Sequence, residues 1–193
     1  MKTRTLVLIC IVVLAAASRL VPAPYRIPNF APMTMLALFC AAHFRSLWAA
    51  MLATPLAMLA TDAVLELLPQ LDWFGGWFHG GTGFYAGQWG VYLAYLLIAG
   101  AGLALRQRRT AINVAAVALA SSLLFFFVSN FAYWTTGAYP MTWDGLLLCF
   151  DMAIPFYRVS LLSDLIFGLV LFGGFALAEH YFPALQRDEA LAT

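Results

Sequence analysis

Arg19, Asn29, Asp62, Glu66, Asn130, Asp151, Arg158 and Asp164 interrupt runs that are otherwise apolar. A charge held at bilayer depth costs about 2.5–3.5 kcal/mol on insertion scales, so each needs a partner or water. Two chemistries follow. The ions can pair across helices and lock their packing, or they can line a water-accessible cavity in which a few polar groups orient a ligand. Asp62 and Glu66 are four apart and share a helix face. Asp144 and Asp151 are seven apart, also share a face, and form a weak candidate acid/base pair. The sequence holds no HExxH, GxSxG or Walker A motif, so no catalytic residue and no catalytic cofactor is assigned. His79, flanked by Phe78 and Gly80, is either a solvated loop histidine or a metal or ligand contact. His43 and His180 are expected at a membrane interface. Cys10, Cys40 and Cys149 make no CxxC spacing and read as unpaired buried thiols.

The elements that must position these residues are membrane helices. Of the 193 residues, 64% are hydrophobic and 10% charged, with a mean hydropathy of +0.87. A soluble domain carries about 25% charged residues, and so few charges cannot cover a water-facing surface. The formal net charge of +1 and the lack of a basic patch argue against a nucleic-acid partner. Apolar runs near the roughly 20-residue length of a span fall at 5–20, 31–44 (short), 47–68, 88–105, 111–134 and 156–182. The expectation is therefore an all-α integral membrane protein, one transmembrane domain over 1–193 with six transmembrane helices. A further run at 143–154, between Pro140 and Pro155, reads as a short interfacial helix. The basic start and the Ala15-Ala16-Ala17 run resemble a signal peptide. Because the apolar run continues to Leu20, an uncleaved first helix is expected.

Lys and Arg set the orientation. With the N-terminus inside, Lys2, Arg4, Arg45, Arg106, Arg108, Arg109 and Arg187 lie inside, against Arg19, Arg26 and Arg158 outside. Both termini are expected inside, with Arg106–Arg109 acting as a topological stop. The membrane-embedded polar residues then all fall in the outer halves of the helices. No polar path crosses to the inner side, which disfavours a channel or a proton relay. The outer loop at 69–87 combines six glycines and six aromatics. It reads as an aromatic belt or as a lid over a cavity. Ala49, Ala53, Ala57 and Ala60 form a stripe that permits close helix packing, inside the chain or against another subunit.

Arg19, Asn29-Phe30-Ala31-Pro32, Asp62, Ser129-Asn130-Phe131 with Trp134, Tyr139-Pro140, Gly145-Leu146, Ile154-Pro155-Phe156 and 162–165 together resemble a group of small bacterial membrane proteins. That group looks related to the substrate-binding S-components of energy-coupling-factor vitamin transporters. The resemblance spans about 18–179 and implies an S-component-like bundle in the bacterial cytoplasmic (inner) membrane. Such a bundle would bind and import a micronutrient from outside. Solitary cobalamin-binding S-components look closest in layout, so cobalamin or a related corrinoid is the implied substrate. Partners would be the vitamin, the lipid bilayer and transmembrane and ATPase subunits, unless the protein acts alone. On this reading Arg19, Asn29, Asp62, Asn130, Arg158 and Asp164 line or support the pocket. Trp73, Trp77, Phe78 and Tyr85 come from the lid, and His79 would reach the cobalt where those proteins typically use cysteine. The alternatives are an assembly protein locked by its polar cluster and a membrane enzyme modifying a bound vitamin.

Overall fold

A computed structural model describes residues 3–21, 25, 27–71 and 83–186, and over them the chain is helical with no strand. The helices are α1 (Thr3–Ala17), α2 (Met33–His43), α3 (Leu47–Leu71), α4 (Gln88–Gly102), α5 (Ala111–Tyr133), α6 (Trp143–Gly168) and α7 (Gly174–Tyr181). Five helical stretches are long and apolar enough to cross a membrane: Thr3–Leu20, Leu47–Pro69, Gln88–Arg106, Ala111–Ala138 and Trp143–Tyr181. Trp134–Ala138 and Leu169–Gly173 are π-helical turns, the second joining α6 to α7.

The run at 31–44 forms a helix of a different kind. α2 has only 11 residues, about 16 Å, roughly half the hydrocarbon thickness. All of them are buried. A helix apolar on every side belongs in a core, and α2 touches α1, α3, α4, α5 and α6. At its N-terminal end the Ala31 carbonyl accepts from Ser163 Oγ at 3.0 Å, and Phe30 packs on Phe167. At its C-terminal end Arg106 donates to the Ala41 and Phe44 carbonyls, each at 2.9 Å, a cationic cap on the negative end of the helix. Arg106 is therefore a capping residue of α2.

The break expected at Pro155 is absent. One helix runs from Trp143 through Pro155 to Gly168, so 143–154 is its first half rather than a separate interfacial helix. Pro155 removes a donor to the carbonyl four residues back without stopping the helix. α5 and α6 meet at two levels, Ser122 with Asp164 and the Asn130 carbonyl with Cys149. Those levels lie about 12 Å apart along α5 and about 22 Å apart along α6. The N-terminal half of α6 therefore leans across α5. Phe126, Phe127, Phe150 and Tyr157 fill the wedge with ring contacts of 4.9–5.6 Å.

α4 and α5 approach closely because Gly90 faces Ala132; a Cβ at Gly90 would overlap the Ala132 methyl. Gly90→Val is expected to lower stability by about 1–3 kcal/mol through overpacking, measured as a lower melting temperature in detergent.

Candidate functional site

The polar residues form two buried clusters and one cavity. The first cluster begins at the end of α1, where the single turn Ser18–Leu20 carries Arg19 towards α3. Arg19 Nη2 meets Asp62 Oδ1 at 2.5 Å, and Nη1 donates to the Met58 carbonyl at 3.1 Å and to the Thr61 hydroxyl. The other carboxylate oxygen of Asp62 accepts from Gln88 Nε2 at 2.7 Å and from the Tyr92 hydroxyl at 2.5 Å. Asp62 is 1% exposed. An ionised carboxylate that accepts from an arginine, an amide and a phenol is satisfied as it stands. The face shared by Asp62 and Glu66 holds the segment leading into α4. Glu66 accepts from Gly83 N at 3.1 Å, Gln88 donates to the Gly83 carbonyl at 3.1 Å, and Tyr85 N donates to Gln88 Oε1 at 3.2 Å. Desolvation raises the Tyr85 phenol above its ordinary pKa; the Asp62 charge adds to this and Arg19 opposes it.

The second cluster is Asp164, also buried. Its carboxyl meets the Ser122 hydroxyl of α5 and the Thr34 hydroxyl at the start of α2.

The cavity lies beside the contact between the end of α5 and the N-terminal half of α6. It measures about 370 Å³ and is lined by Asn29, Asn130, Tyr133, Tyr139, Cys149, Met152, Ala153 and Phe156. Asn29 adopts φ 61°, a left-handed conformation that asparagine tolerates better than most residues. Asn130 Nδ2 donates to the Phe126 carbonyl at 2.7 Å, which leaves its carbonyl oxygen available as an acceptor. The π-helical turn after α5, closed by Gly137 at φ 81°, brings Tyr139 back beside Tyr133. Trp134 Nε1 holds this turn by donating to the Pro140 carbonyl at 3.0 Å. The lining thus offers two amides, two phenols and a thiol above an apolar floor, with no charged side chain.

Of the residues singled out from sequence, the structure brings Asn29 and Asn130 together in the cavity. Arg19 and Asp62 go to the first cluster, with Tyr85 beside it, and Asp164 forms the second. Arg158 is exposed on α6, and Asp144 and Asp151 are exposed and outside the cavity lining. Trp73, Trp77, Phe78 and His79 lie outside the described residues. No group of three or more metal-ligating His, Cys, Asp or Glu side chains occurs among the described residues.

His43 is buried. It bonds the Phe39 carbonyl at 2.9 Å and packs against Phe39, Phe172 and Phe175, whereas His180 is exposed. Cys40 and Cys149 are buried free thiols, but Cys10 is exposed. The residues that sequence reading passed over are Gln88 and Tyr92 at Asp62, Ser122 and Thr34 at Asp164, and Tyr133, Tyr139 and Cys149 in the cavity. In the sequence Gln88 stands out only as the first residue after the glycine-rich loop, and Ser122 only as a polar residue within an apolar helix.

Residues 1–185 match the model of a family of unknown function, DUF6580. The chain belongs to that family. No curated protein and no solved structure matches it.

Proposed function

We propose that this chain is a nutrient-binding membrane protein of the S-component type, whose bundle counts the buried α2 as its sixth helix. It would take up a small uncharged polar molecule at the α5–α6 cavity. One observation carries the reading: a cavity of about 370 Å³ lined by two asparagines and two tyrosines, with no charge on its walls. Ligand sites are commonly concave, about 300–1,000 Å³, and mostly apolar with a few orienting polar groups. Amides and phenols both donate and accept, which suits a neutral ligand with ring nitrogens, carbonyls or hydroxyls.

The volume favours a ligand smaller than a corrinoid. Cobalamin becomes the ligand only if the 72–82 segment, with His79, adds to this cavity. The Lys/Arg distribution supports both termini inside and the cavity facing out, and the bacterial inner membrane is what the resemblance to S-components implies. Coupling to transmembrane and ATPase subunits of an energy-coupling module is part of the same proposal, as is action alone.

Mass spectrometry of the purified protein tests this reading. A retained small molecule is expected, and Asn130→Leu should reduce its occupancy at least tenfold with the melting temperature unchanged. In a cysteine-free background, Asn130→Cys should react with a water-soluble maleimide added from the face opposite the termini. No retained molecule, together with an unreactive Asn130→Cys, would sink the proposal. The assembly reading would then stand on the fully satisfied Asp62 pair.

A further inference from the structure

Asp62 and Asp164 are both buried aspartates, but their surroundings are opposite in kind. Asp62 has a guanidinium at 2.5 Å and two further donors. Among the described residues no Lys, Arg or His pairs with Asp164. Its polar contacts are two hydroxyls, Ser122 and Thr34. Titratable groups that feel its charge include the phenols of Tyr95 on the neighbouring α4 and of Tyr157 on α6 itself.

The missing counter-ion and the hydrogen count at Ser122 act in the same direction. Ser122 Oγ is bonded both to Asp164 Oδ2 and, at 3.0 Å, to the Ala118 carbonyl. A serine hydroxyl has one hydrogen. A carbonyl can only accept, and an ionised carboxylate can only accept. With Asp164 ionised, the one hydrogen goes to the carboxylate, the Ala118 carbonyl keeps its helical N–H bond, and the charge sits in an apolar bundle with no counter-ion among the described residues. With Asp164 protonated, both contacts are met: the carboxylic O–H donates to Ser122 Oγ, and Ser122 donates onward to the Ala118 carbonyl. The Thr34 hydroxyl can donate to the other carboxyl oxygen. Protonation also avoids an unpaired buried charge, which would be the costlier state.

We propose that Asp164 is a proton-binding site of the bundle interior. Its proton ties α6 to α5, and its carboxyl also reaches the start of α2. These are the three segments that continue to Phe156, Asn130 and Asn29 at the cavity. The site requires no polar route through the membrane, because the proton is held rather than conducted.

Infrared spectroscopy of the purified protein in detergent tests this without any ligand. At neutral pH the wild type is expected to show the C=O absorption of a protonated carboxylic acid, and Asp164→Asn should abolish that band. Asparagine supplies an N–H donor towards Ser122, so Asp164→Asn should melt within a few degrees of wild type, whereas Asp164→Leu should melt well below it. In the wild type itself, raising the pH until the band disappears should lower the melting temperature. A wild type without the band at neutral pH overturns the proposal. So does a band that persists in Asp164→Asn, or an Asp164→Asn variant as unstable as Asp164→Leu. Stabilisation of the wild type, but not of Asp164→Asn, by sodium over choline overturns it in favour of a cation site.

Discussion

Replacing Arg19 with methionine is expected to lower the folding stability by about 3–5 kcal/mol, the usual cost of removing one partner from a buried ion pair. Methionine keeps most of the aliphatic packing of the arginine stem, so the loss isolates the charge. What remains is a carboxylate 1% exposed, still accepting from Gln88 and Tyr92 but with no counter-ion in contact. Asp62→Asn in the Arg19→Met background should recover more than half of the loss, because a neutral amide no longer carries the unpaired charge and its oxygen still accepts. Equilibrium unfolding followed by tryptophan fluorescence in detergent measures both. If Arg19→Met falls within about 1 kcal/mol of wild type, Asp62 is hydrated and the pair belongs to an open site rather than to a helix lock.

Membrane character and much of the helix layout were legible from hydropathy, because a bilayer imposes a length and an apolar composition on anything that crosses it. The start of α4 at Gln88 and the extent of α5 follow from that alone. α2 was not legible as a core helix. A helix buried by protein and one buried by lipid are equally apolar, and only its 11 residues distinguish it. The continuity of α6 was hidden by Pro155, because sequence shows the lost hydrogen bond but not the packing that carries the helix past it.

The polar residues were legible as a set, but not in their division between clusters. Arg19 and Asp62 pair because the Ser18–Leu20 turn points one at the other, and nothing in their spacing of 43 positions encodes that. Asn29 and Asn130 share a cavity because α6 leans, a tertiary effect. The cavity's phenols and thiol, Tyr133, Tyr139 and Cys149, are residue types that an apolar membrane sequence carries for many reasons, so composition alone does not single them out.

Gly83→Ala is expected to cost about as much as the loss of Arg19, through the opposite side of the same carboxylate. A Cβ at Gly83 would overlap the Asp62 carbonyl and press on Glu66 N, both of them backbone atoms of α3. Helix backbone cannot swing aside as a long side chain can, so the 83–88 segment must lift. Lifting it stretches both contacts that tie it to α3: Gly83 N to Glu66 and Gln88 to Asp62. At about 1.5–3 kcal/mol for each bond to a charged group, the loss amounts to roughly 3–6 kcal/mol. Because Gln88 is one of the donors that stabilise Asp62, the two changes are coupled. Arg19→Met combined with Gly83→Ala should be destabilised by an amount differing from the sum of the single effects by at least about 0.5 kcal/mol, as expected for residues that share one hydrogen-bond network. Strict additivity would mean that the 83–88 segment and the Arg19 pair act independently. Asp62 would then hold α4 through Tyr92 rather than through the 83–88 segment.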